Sequence, residues 1–148
     1  MSLQENVNEQ LKTAMKAKDT VALESLRAIK TAITMAQTQA GAKKLNLEDE
    51  IKLIQKLVKQ RKDSAEIFHQ QRRVDLAEPE EAQIKIIEQF LPEQLDEAAI
   101  TEIVAGIIVK IGAAGIKDMG KVMGMASKEI AGKADGKTIS TIVHQKLS

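Results

Sequence analysis

Hydrophobic residues recur every three or four positions along most of the chain, which is the spacing of amphipathic helices. In the first half, side chains able to accept hydrogen bonds from first-turn amides stand at three helix starts: Ser2, then Asp19 or Thr20, then Asn46. The third of these helices is expected to be the longest. The predicted core positions are Leu3, Val7, Leu11, Ala14 and Met15 in the first helix, Leu23, Leu26, Ile29, Ile33 and Ala36 in the second, and Ile51, Ile54, Leu57, Val58, Ala65 and Phe68 in the third.

The second half continues the helical pattern in shorter segments between breaks. Residues 72–77 are predicted to form a polar break, with Pro79 at the first position of a fourth helix that Pro92 stops. Asp96, Asp118 and Asp135 are predicted N-caps of three more helices. The total is about seven helices without a strand, so the sequence predicts an all-α protein.

The glycines are distributed unevenly along the chain. Six of the eight glycines follow residue 111, which indicates short helices and tight turns after a first half built from long helices. We therefore predict an N-terminal helical domain over residues 1–92 and a small C-terminal three-helix domain over residues 93–148.

Composition removes several kinds of site. Phe68 and Phe90 are the only aromatic residues among 148, which argues against base-stacking platforms for single strands. Absence of cysteine excludes thiolate nucleophiles, cysteine zinc sites and iron–sulfur clusters. Charged residues interrupt residues 1–20, and no stretch of 18 uncharged apolar residues follows, so we expect a soluble, cytoplasmic protein without a membrane partner.

Charge is segregated although the formal net charge is only +1. Residues 52–73 contain seven basic and two acidic residues, and residues 110–148 contain seven basic and three acidic ones. Between them, residues 74–102 contain nine acidic residues and one lysine. Basic surfaces beside glycine turns and helix N-termini can bind a nucleic-acid backbone, but a solvated charged surface is equally compatible with these counts.

No catalytic constellation is visible. His69 and His144 are 75 positions apart without a metal-binding frame, and the paired carboxylates fall in predicted first turns, where helix dipoles explain them. Residues 120–124 lack the pattern of a phosphate loop. Val122 and Met123 are expected to pack in a core, with the Gly120 and Gly124 pair admitting a neighbouring helix closely; a partner-binding groove is the alternative. We expect no catalytic residues, no metal and no cofactor.

Several short strings together closely resemble the YqeY family, whose domain is shared with the C-terminal tail of GatB, the tRNA-binding subunit of glutamine-dependent tRNA amidotransferase. They are LRAIK at 26–30, KQRKDS at 59–64, DLAE at 75–78, FLPEQL at 90–95, KDMGKVMG at 117–124 and GKADGK at 132–137. The strings occur in order over nearly the whole chain.

The resemblance implies an all-α protein whose C-terminal part binds tRNA, while amidotransfer takes place in domains that this chain lacks. The RNA-facing positions it implies are Lys117, Lys121, Lys133 and Lys137. A secondary basic patch comprises Lys59, Arg61, Lys62, Arg72 and Arg73.

Three functions remain open at this point. The first is a non-catalytic module that binds tRNA by shape and backbone, with aminoacyl-tRNA synthetases or amidotransferase subunits as further candidate partners. The second is a component of a carbon–nitrogen ligase with glutamine as amide donor, acting with other subunits. The third is a protein-interaction adaptor without an RNA role.

Overall fold

A computed structural model describes residues 2–41 and 43–148 and places them in seven α-helices without a strand. The all-α prediction is confirmed. The loop expected after Gly41 contains Ala42, which lies outside the described residues. The described chain separates into two compact units, one ending at Leu91 and one spanning Pro92–Ser148. The functional division into domains predicted at residue 92 stays a prediction.

The first unit contains α1 (Leu3–Ala17), α2 (Thr20–Gln39), α3 (Leu47–Gln70) and α4 (Val74–Glu88). The predicted caps form: Ser2 and Asn46 each close a reciprocal capping box, and Asp19 accepts a hydrogen bond from the Ala22 amide at 3.1 Å. With 24 residues, α3 is the longest helix, as expected. The largest fully buried hydrophobic side chains of this unit are those of Val7, Leu26, Ile29, Ile54 and Ile87.

Two predictions for this unit are wrong. Met15 is 59% exposed and does not belong to the core. The polar break is shorter than predicted, because α4 begins at Val74 and Pro79 lies inside it. The chain turns at Arg72, a non-glycine residue with φ of 57°, and buried Ala77 lies in the first turns of α4. An arginine in the left-handed backbone conformation is not recognisable in a sequence as a glycine is, and Pro79 therefore does not mark the start of α4.

The second unit contains α5 (Glu97–Ile111), a 3₁₀ turn (Ile116–Asp118), α6 (Met119–Ile130) and α7 (Gly136–Leu147). Its core is made of aliphatic residues from all three α-helices: Ile100, Val104, Ile107, Val122, Ala126, Ile130, Ile139, Ile142, Val143 and Leu147. Asp96 and Asp135 cap α5 and α7, each accepting a first-turn amide at 2.8 Å. No single helix in the described ranges could cross a membrane; only α5 and the segment Ile116–Ile130, bent by 97°, pass that test jointly.

Candidate nucleic-acid interface

The turn between α6 and α7 holds Lys133 on a fixed backbone. Gly132 is buried and has φ of 82°, a conformation that favours glycine. The Leu95 amide donates to the carbonyl oxygen of Lys133 at 2.8 Å, and the Gln94 side-chain amide donates to the carbonyl of Gly132 at 2.8 Å. Ala134 is buried in the core, so the lysine side chain projects outward from an anchored turn.

A second anchored turn precedes α6. Lys117 lies in the 3₁₀ turn, and Lys121 lies in the first turn of α6. The Asp118 carboxylate accepts the Ala114 amide at 2.8 Å and makes no cap hydrogen bond to α6, so the prediction that Asp118 caps this helix by its side chain is wrong. The 3₁₀ turn runs directly into α6, and the Ile116 carbonyl accepts a hydrogen bond from the Met119 amide, the first of that helix. The Asp118 carboxylate fixes the preceding loop instead.

The structure groups the four predicted lysines into two pairs. Lys117 and Lys121 lie at the start of α6, whereas Lys133 and Lys137 follow its end, with Lys137 in the first turn of α7. At about 1.5 Å per residue, roughly 14 Å of helix separates Lys121 from the end of α6. The predicted site is therefore an extended surface rather than one cluster.

Lys128 lies between the two pairs along the chain and was not among the predicted site residues. It is exposed and stands seven residues after Lys121, so both side chains lie on one face of α6. The signal available in the sequence was the spacing of seven residues, or two helical turns, between Lys121 and Lys128 in a segment rich in basic residues. We call Lys117, Lys121, Lys128, Lys133 and Lys137 the C-terminal lysine surface.

Most of this charge is not neutralised within the protein. All five side chains are exposed, and in the described parts of the chain the ammonium groups of Lys117, Lys121, Lys128 and Lys133 form no ion pair. Lys137 also interacts within the chain. Exposed cations on fixed backbone are suited to phosphate contacts, because little conformational freedom of the main chain is lost on binding.

The secondary basic patch has a different environment. On α3, Lys59 pairs with Asp63 at 3.2 Å and Lys62 with Glu88 of α4 at 3.5 Å. Arg61 donates to the Gln83 side chain at 2.9 Å, and that amide donates in turn to Glu24 of α2 at 3.1 Å. Lys59, Arg61 and Lys62 are thus each engaged within the first unit, two by carboxylates and one by a side-chain amide.

Arg73 is also engaged. Its guanidinium donates two hydrogen bonds to the Asp75 carboxylate, at 3.0 and 2.9 Å. These bonds and the attraction between the charges lower the pKa of Asp75 below its ordinary value of 3.8. Of the secondary patch, Arg72 alone lacks a side-chain hydrogen bond or ion pair within the described residues.

The histidines are placed as surface residues. His69 contacts the Glu81 carboxylate across α3 and α4, and His144 lies near the Ser148 hydroxyl at the end of α7. Both are exposed. The described residues contain no group of three or more histidine, cysteine, aspartate or glutamate side chains placed to hold a metal ion.

The expectation about α6 glycines needs correction. A Cβ atom built at Gly120 or Gly124 would meet nothing within 4 Å, so no described helix of the second unit packs closely against either glycine. Both residues face solvent, because α6 packs with the opposite face, through Val122, Ala126 and Ile130. Core packing of Val122 is confirmed, and Met123 is partly buried against the same cluster.

These features define an all-helical protein of two small units, the second of which presents an extended lysine surface. The family profile described as Yqey-like protein matches residues 4–147, and the chain belongs to the YqeY family. The resemblance found from the sequence strings is confirmed.

Relatives of known name fall into two groups. The protein "Altered inheritance of mitochondria protein 41, mitochondrial" of Lachancea thermotolerans is 38% identical over 69% of this chain and 54% of its own length. Its namesake in Pyrenophora tritici-repentis is 33% identical over 84% of this chain and 68% of its own length. The chain thus spans about half to two thirds of these relatives. A glutamyl-tRNA(Gln) amidotransferase subunit from Thermococcus gammatolerans is 37% identical over 47% of this chain but only 12% of its own length.

The expectation of a cytoplasmic protein is wrong by this comparison, because both fungal relatives carry "mitochondrial" in their names. The absence of an apolar core in residues 1–20 bears only on a secretory signal. Mitochondrial targeting segments are amphipathic rather than apolar, so this absence has no bearing on a mitochondrial location.

Proposed function

We propose that the chain is a non-catalytic tRNA-binding accessory module in which the C-terminal lysine surface contacts the RNA backbone. The observation that carries the proposal is the set of exposed ammonium groups at Lys117, Lys121 and Lys133, which form no ion pair with any described residue and lie on or beside anchored turns. The secondary basic patch, by contrast, is largely engaged with carboxylates and amides of its own unit.

Recognition on this surface is by shape and charge. The chain has two phenylalanines and no tyrosine or tryptophan, so stacking on unpaired bases contributes little. Lysines spread along α6 and both flanking turns match a run of phosphates on a folded RNA rather than one isolated anion. Binding of this kind is insensitive to base sequence and falls as salt rises.

The relative from Thermococcus supports tRNA as the RNA. Its name is that of an amidotransferase for glutamyl-tRNA(Gln), and the match covers only 12% of it. The likeness therefore concerns a small part of that subunit and not the whole protein. The second candidate function, a component of a carbon–nitrogen ligase that works with other subunits, is favoured by the same name.

An electrophoretic mobility shift with total tRNA at two salt concentrations tests the proposal. We expect a shift at low salt that weakens at high salt and is not competed by an equal mass of an acidic protein. Absence of any shift at low salt would overturn tRNA binding and leave the adaptor function. The purified chain should neither release ammonia from glutamine nor amidate Glu-tRNA; glutaminase activity lost on changing one carboxylate would overturn the non-catalytic assignment.

A further inference from the structure

An open groove of about 370 Å³ runs between α5 and α6, away from any role in the proposed function. Its lining includes Ile103 and Gly106 from α5 and Met125 from α6, with Glu102 and Lys110 at the α5 side. Next to it on α5, Val109 is 82% exposed, the highest value among the large hydrophobic side chains of the described residues. A groove that combines apolar and charged side chains beside an exposed valine is a surface that a partner can cover.

The sequence of α5 is symmetric about Gly106. Glu102 and Lys110 stand four residues before and after it, and Ile103 and Val109 stand three residues before and after it. Glu102 and Lys110 lie about 12 Å apart along the helix, too far to pair with each other. Neither forms an ion pair within the described residues.

We propose that a second copy of this chain covers this face, with the two α5 helices antiparallel and crossing at Gly106. Around a two-fold axis at that crossing, a residue before Gly106 meets the residue equally far after it in the second copy. Glu102 then pairs with Lys110 of the second copy, twice by symmetry. Val109 packs beside Ile103 of the second copy and closes the groove.

Gly106 supports the crossing point. A Cβ atom built there would meet nothing within 4 Å, and its backbone conformation is not one that demands glycine. The chain itself therefore gains nothing from the missing side chain, and a glycine inside a helix lowers the stability of that helix. At a helix crossing, a missing side chain shortens the distance between the two axes.

The contact involves about two turns of each helix, which places it among small interfaces that form reversibly. Glu129 also lines the groove but takes no part in the proposed pairing of Glu102 with Lys110. Glu129→Gln should therefore leave the association unchanged or strengthen it, whereas Glu102→Lys should weaken it.

Sedimentation velocity of the full chain without RNA, over a hundredfold range of concentration, tests the proposal. We expect a concentration-dependent monomer–dimer equilibrium. Glu102→Lys and Lys110→Glu should each shift its midpoint at least tenfold toward monomer, because each places like charges opposite each other. An equimolar mixture of these two variants, and also the double variant, should recover dimer, because both restore two opposite-charge pairs across the axis.

The matched control uses two exposed valines. Val109→Gln should weaken the dimer, whereas Val74→Gln, on a residue that is 49% exposed in the first unit, should not. A wild-type chain that stays monomeric at every concentration would overturn the proposal. So would single charge variants that lose association without recovery in the mixture, since that outcome excludes pairing of Glu102 with Lys110 across the two-fold axis. The proposed RNA function is unaffected by either result.

Discussion

Replacement of Gly124 by alanine should stabilise the protein. This residue is in the middle of α6, is exposed and has no atom within 4 Å of the site of an added Cβ. The substitution therefore adds no clash, and it removes the entropy cost of a glycine in a helix, worth about 1 kcal/mol. For a cooperative unit of 60–100 residues, about 1 kcal/mol corresponds to roughly 4–8 °C in Tm.

Urea and thermal unfolding followed by circular dichroism measure the effect, and Gly112→Ala is the matched control. A Cβ at Gly112 also has nothing within 4 Å, but φ there is 65°. Alanine at this position should cost about 1–2 kcal/mol, because the left-handed conformation crowds its Cβ. The reasoning is refuted if Gly124→Ala destabilises the chain, or if both substitutions change the free energy of unfolding in the same direction.

Two further predictions concern local interactions. Asp135→Ala should lower the free energy of unfolding by about 1 kcal/mol through loss of the α7 cap, measured by urea unfolding, and Asp135→Asn should restore most of it. Carbon NMR of the side-chain carboxyl should give Asp75 a pKa below 3.8, and Arg73→Ala should raise it toward that value. Because the pKa of Asp75 is lower in the folded chain than in the unfolded chain, its ion pair with Arg73 stabilises the fold above about pH 3.8, and this stabilisation is lost as the pH falls through the folded pKa. An unchanged titration of Asp75 in Arg73→Ala would contradict the assignment.

Helix positions were largely predictable because caps and apolar stripes are local. Ser2, Asp19, Asn46, Asp96 and Asp135 each cap the helix that follows, and each does so through atoms within three residues. The start of α4 was not predictable in the same way. It depends on Arg72 in a left-handed conformation and on burial of Ala77, neither of which proline position reveals.

The sequence could not show which of the two basic regions is already paired within the protein. Pairing of Lys62 with Glu88 and of Arg61 with Gln83 joins residues 26 and 22 positions apart on different helices. Counts of charge along the sequence assign such residues to separate regions and therefore do not detect these pairs. The exposed setting of Gly120 and Gly124 was likewise invisible, since it depends on which face of α6 meets the core.

The salt dependence of tRNA affinity for Lys121→Ala/Lys133→Ala tests the central claim most directly. Each lysine that contacts a phosphate contributes about 0.7–0.9 to the slope of log K against log salt, so the double variant should flatten that slope by roughly one to two units. Lys12→Ala/Lys16→Ala, on exposed positions of α1, is the control and should leave it unchanged, as should Lys59→Ala/Lys62→Ala in the ion-paired patch. Equal flattening in all three variants would mean diffuse attraction without a site, and no change in the first would contradict the C-terminal lysine surface.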